Sequence, residues 1–206
     1  MPTLVHEFDW PDRVVVGTVG RPGSRTFYLQ ARAGDRISSV VLEKQQSAAL
    51  AEMIDRLLDE LTTSDDNLSI PAETPVELLD DEPLEQPVEE DFRTGLIRLG
   101  WDPRTLQMVI EAYPVGEGPA DDDTAVDDTS DDEAADDDAA GFEPAGPGAP
   151  DATGHSEMLL VRIPVGTARA FAERARRVVE AGRPTCADCG RPMDDDGHEC
   201  ATDDDA

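Results

Sequence analysis

Apolar, β-branched and aromatic residues cluster in three short runs near the start of the chain, which predicts β-strands. The runs are Arg13–Val19, Thr26–Ala31 and Ile37–Leu42, and glycine, proline or aspartate turns separate them. Leu4–Phe8 is a candidate for a further edge strand. The next segment changes to a helical period, with apolar side chains three or four residues apart at Leu50, Ile54, Leu57, Leu58 and Leu61.

A similar order of elements recurs later in the chain. Three further strand-like runs precede a helical stripe that is predicted to begin at a Thr167 cap and to stop at Gly182. A shift of 118 residues places Val40 on Met158 and Met53 on Phe171. We therefore predict an α+β fold of duplicated β-β-β-α units, with antiparallel sheets and helices packed on one face. Convergent amphipathic patterning is the alternative to duplication. The three later strand predictions are Phe92–Gly100, Thr105–Tyr113 and Glu157–Ile163.

The net charge of −30 is concentrated in particular segments rather than spread over the predicted strands and helices. Residues 63–91 contain eleven acidic residues, residues 114–155 contain fourteen, and neither segment contains Lys or Arg. Such sequences bury too little apolar surface to order themselves, so we expect both to be solvated and dispensable for folding. The negative charge also disfavours nucleic acid and anionic membranes as partners.

These boundaries predict two structured halves, two acidic segments and a small C-terminal module. The predicted parts are residues 1–62 (first half), 63–91 (acidic linker), 92–113 with 156–182 (second half), 114–155 (disordered acidic insertion), 183–201 (zinc knuckle) and 202–206 (acidic tail).

All three cysteines lie near the C-terminus with one histidine, in the pattern C-x2-C-x8-H-x-C. Four soft ligands at this spacing are typical of a tetrahedral structural zinc site, so we expect one Zn2+ per chain. A redox-active dithiol of Cys186 and Cys189 is the alternative, although no βαβ pattern precedes it. The predicted ligands are Cys186, Cys189, His198 and Cys200.

No spaced nucleophile and base is evident in the sequence, so we predict no catalytic residues and favour a non-enzymatic protein. The most polar junction lies where the third predicted strand meets the first helix. A helix N-terminus presents N–H groups to a ligand, and capping or strand-edge solvation is the alternative role. The candidate binding residues are Gln30, Arg32, Glu43, Lys44, Gln45 and Gln46.

Several segments carry a family resemblance: Val14–Gly23, Arg25–Arg32, Ser39–Gln46, Pro87–Arg93, Arg169–Ala175 and the Cys186 motif. In these segments the chain resembles domain-of-unknown-function family 3090, a family typical of actinobacteria. The resemblance implies a cytoplasmic bacterial protein whose cysteine motif belongs to the family pattern. The residues agree with a cytoplasmic location, since Met1–His6 lacks the features of a signal peptide and no disulfide framework exists. The resemblance supplies no catalytic residues.

Two classes of function remain. The first is a binding or adaptor protein that docks an unidentified protein partner through its sheet and zinc module. The second is a single-stranded nucleic-acid-binding protein, since tandem sheet-plus-helix repeats are similar to those of the PUR and Whirly families. Its candidate contact residues are Arg13, Arg25, Arg32, Arg93, Arg98, Arg104, Phe27, Tyr28 and Trp101.

Overall fold

The expected α+β class is confirmed by a computed structural model, which describes residues 4–64, 69–116, 142–144 and 157–181. The two helices are α1 (Lys44–Ser64) and α2 (Val165–Glu180). The eight strands are β1 (Leu4–Asp9), β2 (Arg13–Val19), β3 (Thr26–Ala33), β4 (Arg36–Leu42), β5 (Phe92–Asp102), β6 (Gln107–Pro114), β7 (Phe142–Pro144) and β8 (Glu157–Pro164).

Seven strands form one mixed sheet in the order β1-β8-β6-β5-β4-β3-β2, and β7 pairs with β5 outside this order. The expectation of purely antiparallel sheets was wrong, because β1 runs parallel to β8 and β4 runs parallel to β5. Both meanders, β2-β3-β4 and β5-β6-β8, are antiparallel within themselves. The parallel pairs join elements far apart in sequence, which no local pattern specifies.

The second helix starts earlier than its sequence suggested. We predicted a cap at Thr167, but α2 begins at Val165 and its N-cap is Pro164, which makes no side-chain capping hydrogen bond. Pro164 has an extended backbone (φ −67°, ψ 157°), so the chain passes from β8 into the helix without a loop. A proline immediately before the first helical turn is suitable because its missing N–H would have no partner there.

The sheet curls around its helices. Asp9 ends one edge strand and Arg13 begins the other, so only three residues join the two edges. Four Cα–Cα steps reach at most about 14 Å, whereas seven flat strands would separate the edges by about 29 Å. The inward side chains and both helices share one core, whose members include Phe8, Val16, Leu29, Leu42, Leu50, Ile54, Ile97, Ile110, Val161 and Phe171.

The predicted alignment of the two halves, at a shift of 118 residues, pairs an inward side chain with an outward one in the last strand of each half. Val40 belongs to the core beneath the helices, but Met158 belongs to a second cluster with Leu160 and Tyr113. Leu159, one residue later, is the inward side chain. Because a one-residue shift moves every side chain to the other face of a strand, the shift of 118 is wrong here.

Arginine side chains protect both edges of the sheet. Arg36 donates to the main-chain carbonyl of Glu7 on β1, and its guanidinium stacks 4.3 Å above the ring of Phe8. Arg174 Nε donates to the carbonyl of Val16 on β2 at 2.9 Å. Open strand edges invite pairing with other chains, so these contacts limit unspecific association.

Residues 76–91, here called the strap, pack against the fold, although the sequence predicted a solvated linker. Leu84 is 5% exposed and lies on Gly17 of β2. A Cβ at Gly17 would come within 2.6 Å of Leu84 Cγ, so the absent side chain makes this contact possible. At the far end, Asp91 accepts hydrogen bonds from the Ser38 hydroxyl (2.5 Å) and the Ser39 N–H (3.0 Å). The strap is therefore part of the folded structure.

The predicted acidic insertion, residues 114–155, falls almost wholly outside the described residues. Its described part consists of residues 114–116 and strand β7. β7 lies parallel to β5 and pairs Phe142 with Ile97. Among the described residues, neither helix has the length and apolar character needed to cross a membrane.

Candidate binding cleft at the β2 edge

A cavity of about 660 Å3 opens between β2, the start of α2 and residues 77–83 of the strap. This volume falls within the ~300–1,000 Å3 range that is typical of ligand pockets. Val14, Ala170 and Phe171 supply apolar wall, and each is less than 8% exposed. Charged side chains of β2, α2 and the strap line the rest of the cavity.

Arg13 and Asp80 join the strap to the first residue of β2. Arg13 Nε donates to Asp80 Oδ2 at 2.6 Å and Nη2 donates to Oδ1 at 3.0 Å, which is a bidentate ion pair. Nη2 also donates to the carbonyl of Glu82 at 2.8 Å. The fork geometry of guanidinium makes such a pair both strong and directional. The pair fixes the strap beside the edge strand.

Arg174 approaches the same carboxylate from α2. Its Nη1 donates to Asp80 Oδ1 at 2.9 Å and also to the Asp80 carbonyl, while Nη2 donates to the Glu82 carbonyl at 2.6 Å. Arg174 also donates to the Val16 carbonyl, so this one guanidinium connects α2, on which it lies, to the edge of β2 and to the strap. Its side chain is 8% exposed, so removing it would leave several buried acceptors without a donor.

The ion pairs shift the acid–base properties of these groups. The hydrogen bonds from Arg13, assisted by the charges of Arg13 and Arg174, lower the pKa of Asp80 below its ordinary value. Burial lowers the pKa of Arg174, and the Asp80 hydrogen bond raises that of Arg13. A carboxylate with a lowered pKa is a weak base near neutral pH. This charge cluster is therefore suited to holding structure rather than to transferring protons.

The rim of the cleft is acidic. Five carboxylates and two guanidiniums line the cavity, so the lining has a net negative charge. The side chains of Glu77 and Glu82 have no ion pair or hydrogen bond with any other described residue. Val76 (79% exposed), Leu78 (39%) and Leu79 (39%) present apolar surface beside these acids. The combination of apolar wall and acidic rim favours a ligand with both apolar and cationic groups.

Two of the sequence-predicted binding residues hold the strap. Gln30 is 2% exposed, and its amide group pairs with the main chain of Glu85: the Glu85 N–H donates to Oε1 at 2.8 Å and Nε2 donates to the Glu85 carbonyl at 3.2 Å. Arg32 Nε lies 3.4 Å from the Glu85 carboxylate. Both residues therefore have a structural role.

The other four residues lie at the start of α1, where the Gln46 side chain caps the main chain of Glu43. The Glu43 N–H donates to Gln46 Oε1 at 2.9 Å, and Gln46 Nε2 donates to the carbonyl of Thr94 on β5 at 3.2 Å. Lys44 and Gln45 are exposed. None of the six predicted binding residues lines the cavity, and a role of these four in ligand binding stays a prediction.

The predicted zinc ligands, Cys186, Cys189, His198 and Cys200, lie outside the described residues. Within residues 4–64, 69–116, 142–144 and 157–181, no group of three or more His, Cys, Asp or Glu is placed to hold a metal ion. The zinc site therefore stays a prediction from the cysteine spacing.

Three of the six arginines proposed for nucleic-acid contact are paired with acids. Arg93 lies 3.0 Å from Glu43, and Arg13 and Arg32 hold the strap as described above. Phe27 packs in the core beneath the helices. Arg98 stacks over Tyr113, which is fully buried and donates to Glu111 at 2.9 Å. Burial, followed by the Glu111 hydrogen bond, raises the pKa of Tyr113 to about 12.

Comparison with protein families supports the resemblance seen in the sequence. The family described as protein of unknown function (DUF3090) matches residues 6–200, which includes both halves and the cysteine motif. The chain belongs to the DUF3090 family. No curated protein and no solved structure matches it significantly. In this DUF3090 chain, the strap and the cysteine motif both lie within the matched range.

Sequence reasoning missed the cleft residues of this DUF3090 protein, Asp80 and Arg174 above all. One signal was available for Arg174, which lies three residues after Phe171 and four after Ala170 on the buried side of α2. A charged residue on an apolar helical stripe indicates a buried partner. Asp80 gave no such signal, because its neighbours are equally acidic.

Proposed function

We propose that this protein is a non-enzymatic binding or adaptor protein of the cytoplasm, with a structural zinc site at its C-terminus. The observation that carries the proposal is the cleft at the β2 edge, where an apolar wall meets an acidic rim and exposed Leu78 and Leu79. Apolar anchors surrounded by charge are typical of protein interfaces.

The way in which the charged groups of the cleft are paired with one another agrees with a binding function. Arg13, Asp80 and Arg174 satisfy one another and the main chain of the strap, so their geometry is fixed before any ligand arrives. A preorganised surface loses little conformational entropy on association. The acids that remain available, Glu77 and Glu82, then attract and orient a partner rather than hold the fold.

The zinc part of the proposal rests on the spacing of Cys186, Cys189, His198 and Cys200. Four protein ligands fill a tetrahedral coordination sphere and leave no position for water or substrate, so this Zn2+ would be structural. A segment with so little apolar content would draw its folding free energy from the metal.

Single-stranded nucleic-acid binding is the weaker alternative. Backbone tracking needs arginines available to phosphates together with exposed aromatic rings for base stacking. Arg13, Arg32 and Arg93 are paired with carboxylates, and the net charge of −30 repels phosphates.

Affinity purification of the zinc-loaded full chain from its native host, followed by reconstitution with the purified candidate, tests the proposed function. We expect a complex that forms from the purified components and survives washing at physiological salt. Failure of every candidate to reassociate would contradict an adaptor role. Salt-sensitive binding to a fluorescent single-stranded oligonucleotide would favour the alternative instead.

We also infer that the two halves descend from one β-β-β-α unit. The support is their shared order of elements, since β2-β3-β4 precedes α1 and β5-β6-β8 precedes α2. A shift of 119 residues, which matches inward Val40 with inward Leu159, replaces the shift of 118 at the last strand. An experimental structure in which the two units do not superpose would refute this inference.

A further inference from the structure

The part of β2 that lines the cleft has unused main-chain groups. The carbonyl of Val16 points away from β3, since it accepts from Arg174. Main-chain groups alternate in direction along an antiparallel strand, so those of Val14, two residues earlier, point the same way. Val14 lines the cavity and is 6% exposed, yet no hydrogen bond from a described residue reaches its N–H or carbonyl.

Buried main-chain groups of this kind are costly unless they find a partner. Among the described residues, Arg174 satisfies the carbonyl of Val16 at this edge, and next to it Leu84 of the strap packs on Gly17. At Val14 the strap stands away from the strand and leaves the cavity between them. The open part of the edge thus coincides with the apolar wall and the acidic rim.

We propose that the cleft binds an extended, basic segment of a partner protein, which adds to β2 at Val14 as a short strand; this rests on the proposed function as a binding protein. The main chain of the segment pairs with the N–H and carbonyl of Val14, as in recognition by strand addition. One of its apolar side chains packs on Phe171 and Ala170. Its arginine or lysine lies between Glu77 and Glu82, whose carboxylates form no ion pair or hydrogen bond with another described residue.

The charge balance argues for this partner over an anionic one. Asp12, Glu77, Asp80, Asp81 and Glu82 outnumber the two guanidiniums of the lining, and both guanidiniums already hold Asp80. A phosphate or carboxylate ligand would meet this rim at a cost, whereas a cation is attracted to it.

The test is a titration of the 15N-labelled full chain with a capped pentapeptide of alternating valine and arginine, followed by NMR. We expect shifts at the amides of Val14 and Phe171, and an affinity that falls as salt is raised. A peptide in which glutamate replaces arginine should give no shift at Val14. A peptide with N-methylated main chain should also give none, because it cannot donate to the strand edge.

The matched variants are E77Q/E82Q, which removes two rim charges, and E89Q/E90Q, which removes two exposed strap charges outside the cavity. The first should weaken peptide binding by about threefold or more and the second should leave it within about twofold, given the usual strength of exposed charge pairs. Equal affinity for both variants would overturn the proposal. Shifts confined to the aspartate-rich residues 121–138 would also overturn it, since the peptide would then bind the acidic runs alone.

A reconstituted natural partner separates this inference from the proposed function. If the partner binds wild type and E77Q/E82Q equally, the adaptor function stands and the cleft is not its site. If the pentapeptide binds at Val14 but no natural partner reassociates, the cleft inference stands and the adaptor function fails.

Discussion

Arg174 Nε on α2 donates a hydrogen bond to the main-chain carbonyl of Val16 at 2.9 Å, across 158 residues of sequence. The same guanidinium contacts Asp80, so one side chain connects the second helix, the edge of the sheet and the strap. The cleft owes its shape to this connection, because Arg174 holds the strap beside β2.

Replacement of Arg174 by methionine should lower the free energy of unfolding by about 2–4 kcal/mol, because it leaves buried acceptors unsatisfied while keeping most of the side-chain volume. Urea denaturation measures this change. Arg177→Met is the matched control one turn later, where the side chain is 40% exposed and its partner Asp81 is 75% exposed. The control should cost less than about 1 kcal/mol. Equal costs for both variants would show that the edge contact is unimportant.

The pH dependence of stability should reveal Asp80. Arg13 lowers the pKa of this carboxyl in the folded state, so its stabilising effect is present above the unfolded pKa and is lost as the pH falls through the folded pKa. Asp80→Asn should therefore be less stable than wild type at pH 7, and the difference should shrink as the pH falls below about 4. Thermal unfolding at several pH values checks this, with the exposed Asp81→Asn as control. A constant difference would exclude the ion pair as its cause.

The contact between Gly17 and Leu84 should appear as a coupling in a double-mutant cycle. Gly17→Ala places a Cβ about 2.6 Å from Leu84 Cγ, so it should displace the strap and cost about 1–3 kcal/mol. Leu84→Ala removes the obstructing atoms and should cost about 2–3 kcal/mol alone. In the double variant, the alanine at position 17 should lower the free energy of unfolding much less than it does alone. Strict additivity of the two free-energy changes would argue against the contact.

The zinc proposal predicts that metal binding and the stability of the sheet are separable. Cys189→Ser should abolish zinc binding, measured by elemental analysis of the reduced protein, because one thiolate of the tetrahedral set is lost. The unfolding midpoint of the sheet and helices should change little, since the described core uses none of the four ligands. If wild-type protein is purified under reducing conditions and is found to contain no zinc, that result would contradict the site.

Local patterns were enough to predict most of the strands and helices. The runs at Arg13–Val19 and Ile37–Leu42 became β2 and β4, and the apolar stripe through Leu50 and Ile54 became the buried face of α1. These signals are local because backbone periodicity alone decides which side chains share a face.

The sequence did not predict that the strap packs against the fold. Its acidic composition indicates a solvated segment, but composition does not show which distant residues its side chains bind. Asp80 lies in an acidic run, but Arg13 and Arg174 are 67 and 94 residues away from it. Only the curled sheet and α2 bring these charges together. The cleft was missed for the same reason. Gln46, in contrast, was recognised as a polar residue at the start of a helix. It has the capping role that was the alternative to ligand binding.

Amide hydrogen exchange in the strap tests the central claim, that this acidic segment is part of the fold and forms the cleft. The N–H groups of Glu85 and Asp91 donate to Gln30 Oε1 and to the Ser39 carbonyl, at 2.8 and 2.9 Å. They should exchange more slowly than those of Glu89 and Glu90 by a factor on the order of 100 or more. Exchange of all four amides at the rate of an unstructured peptide would contradict the account.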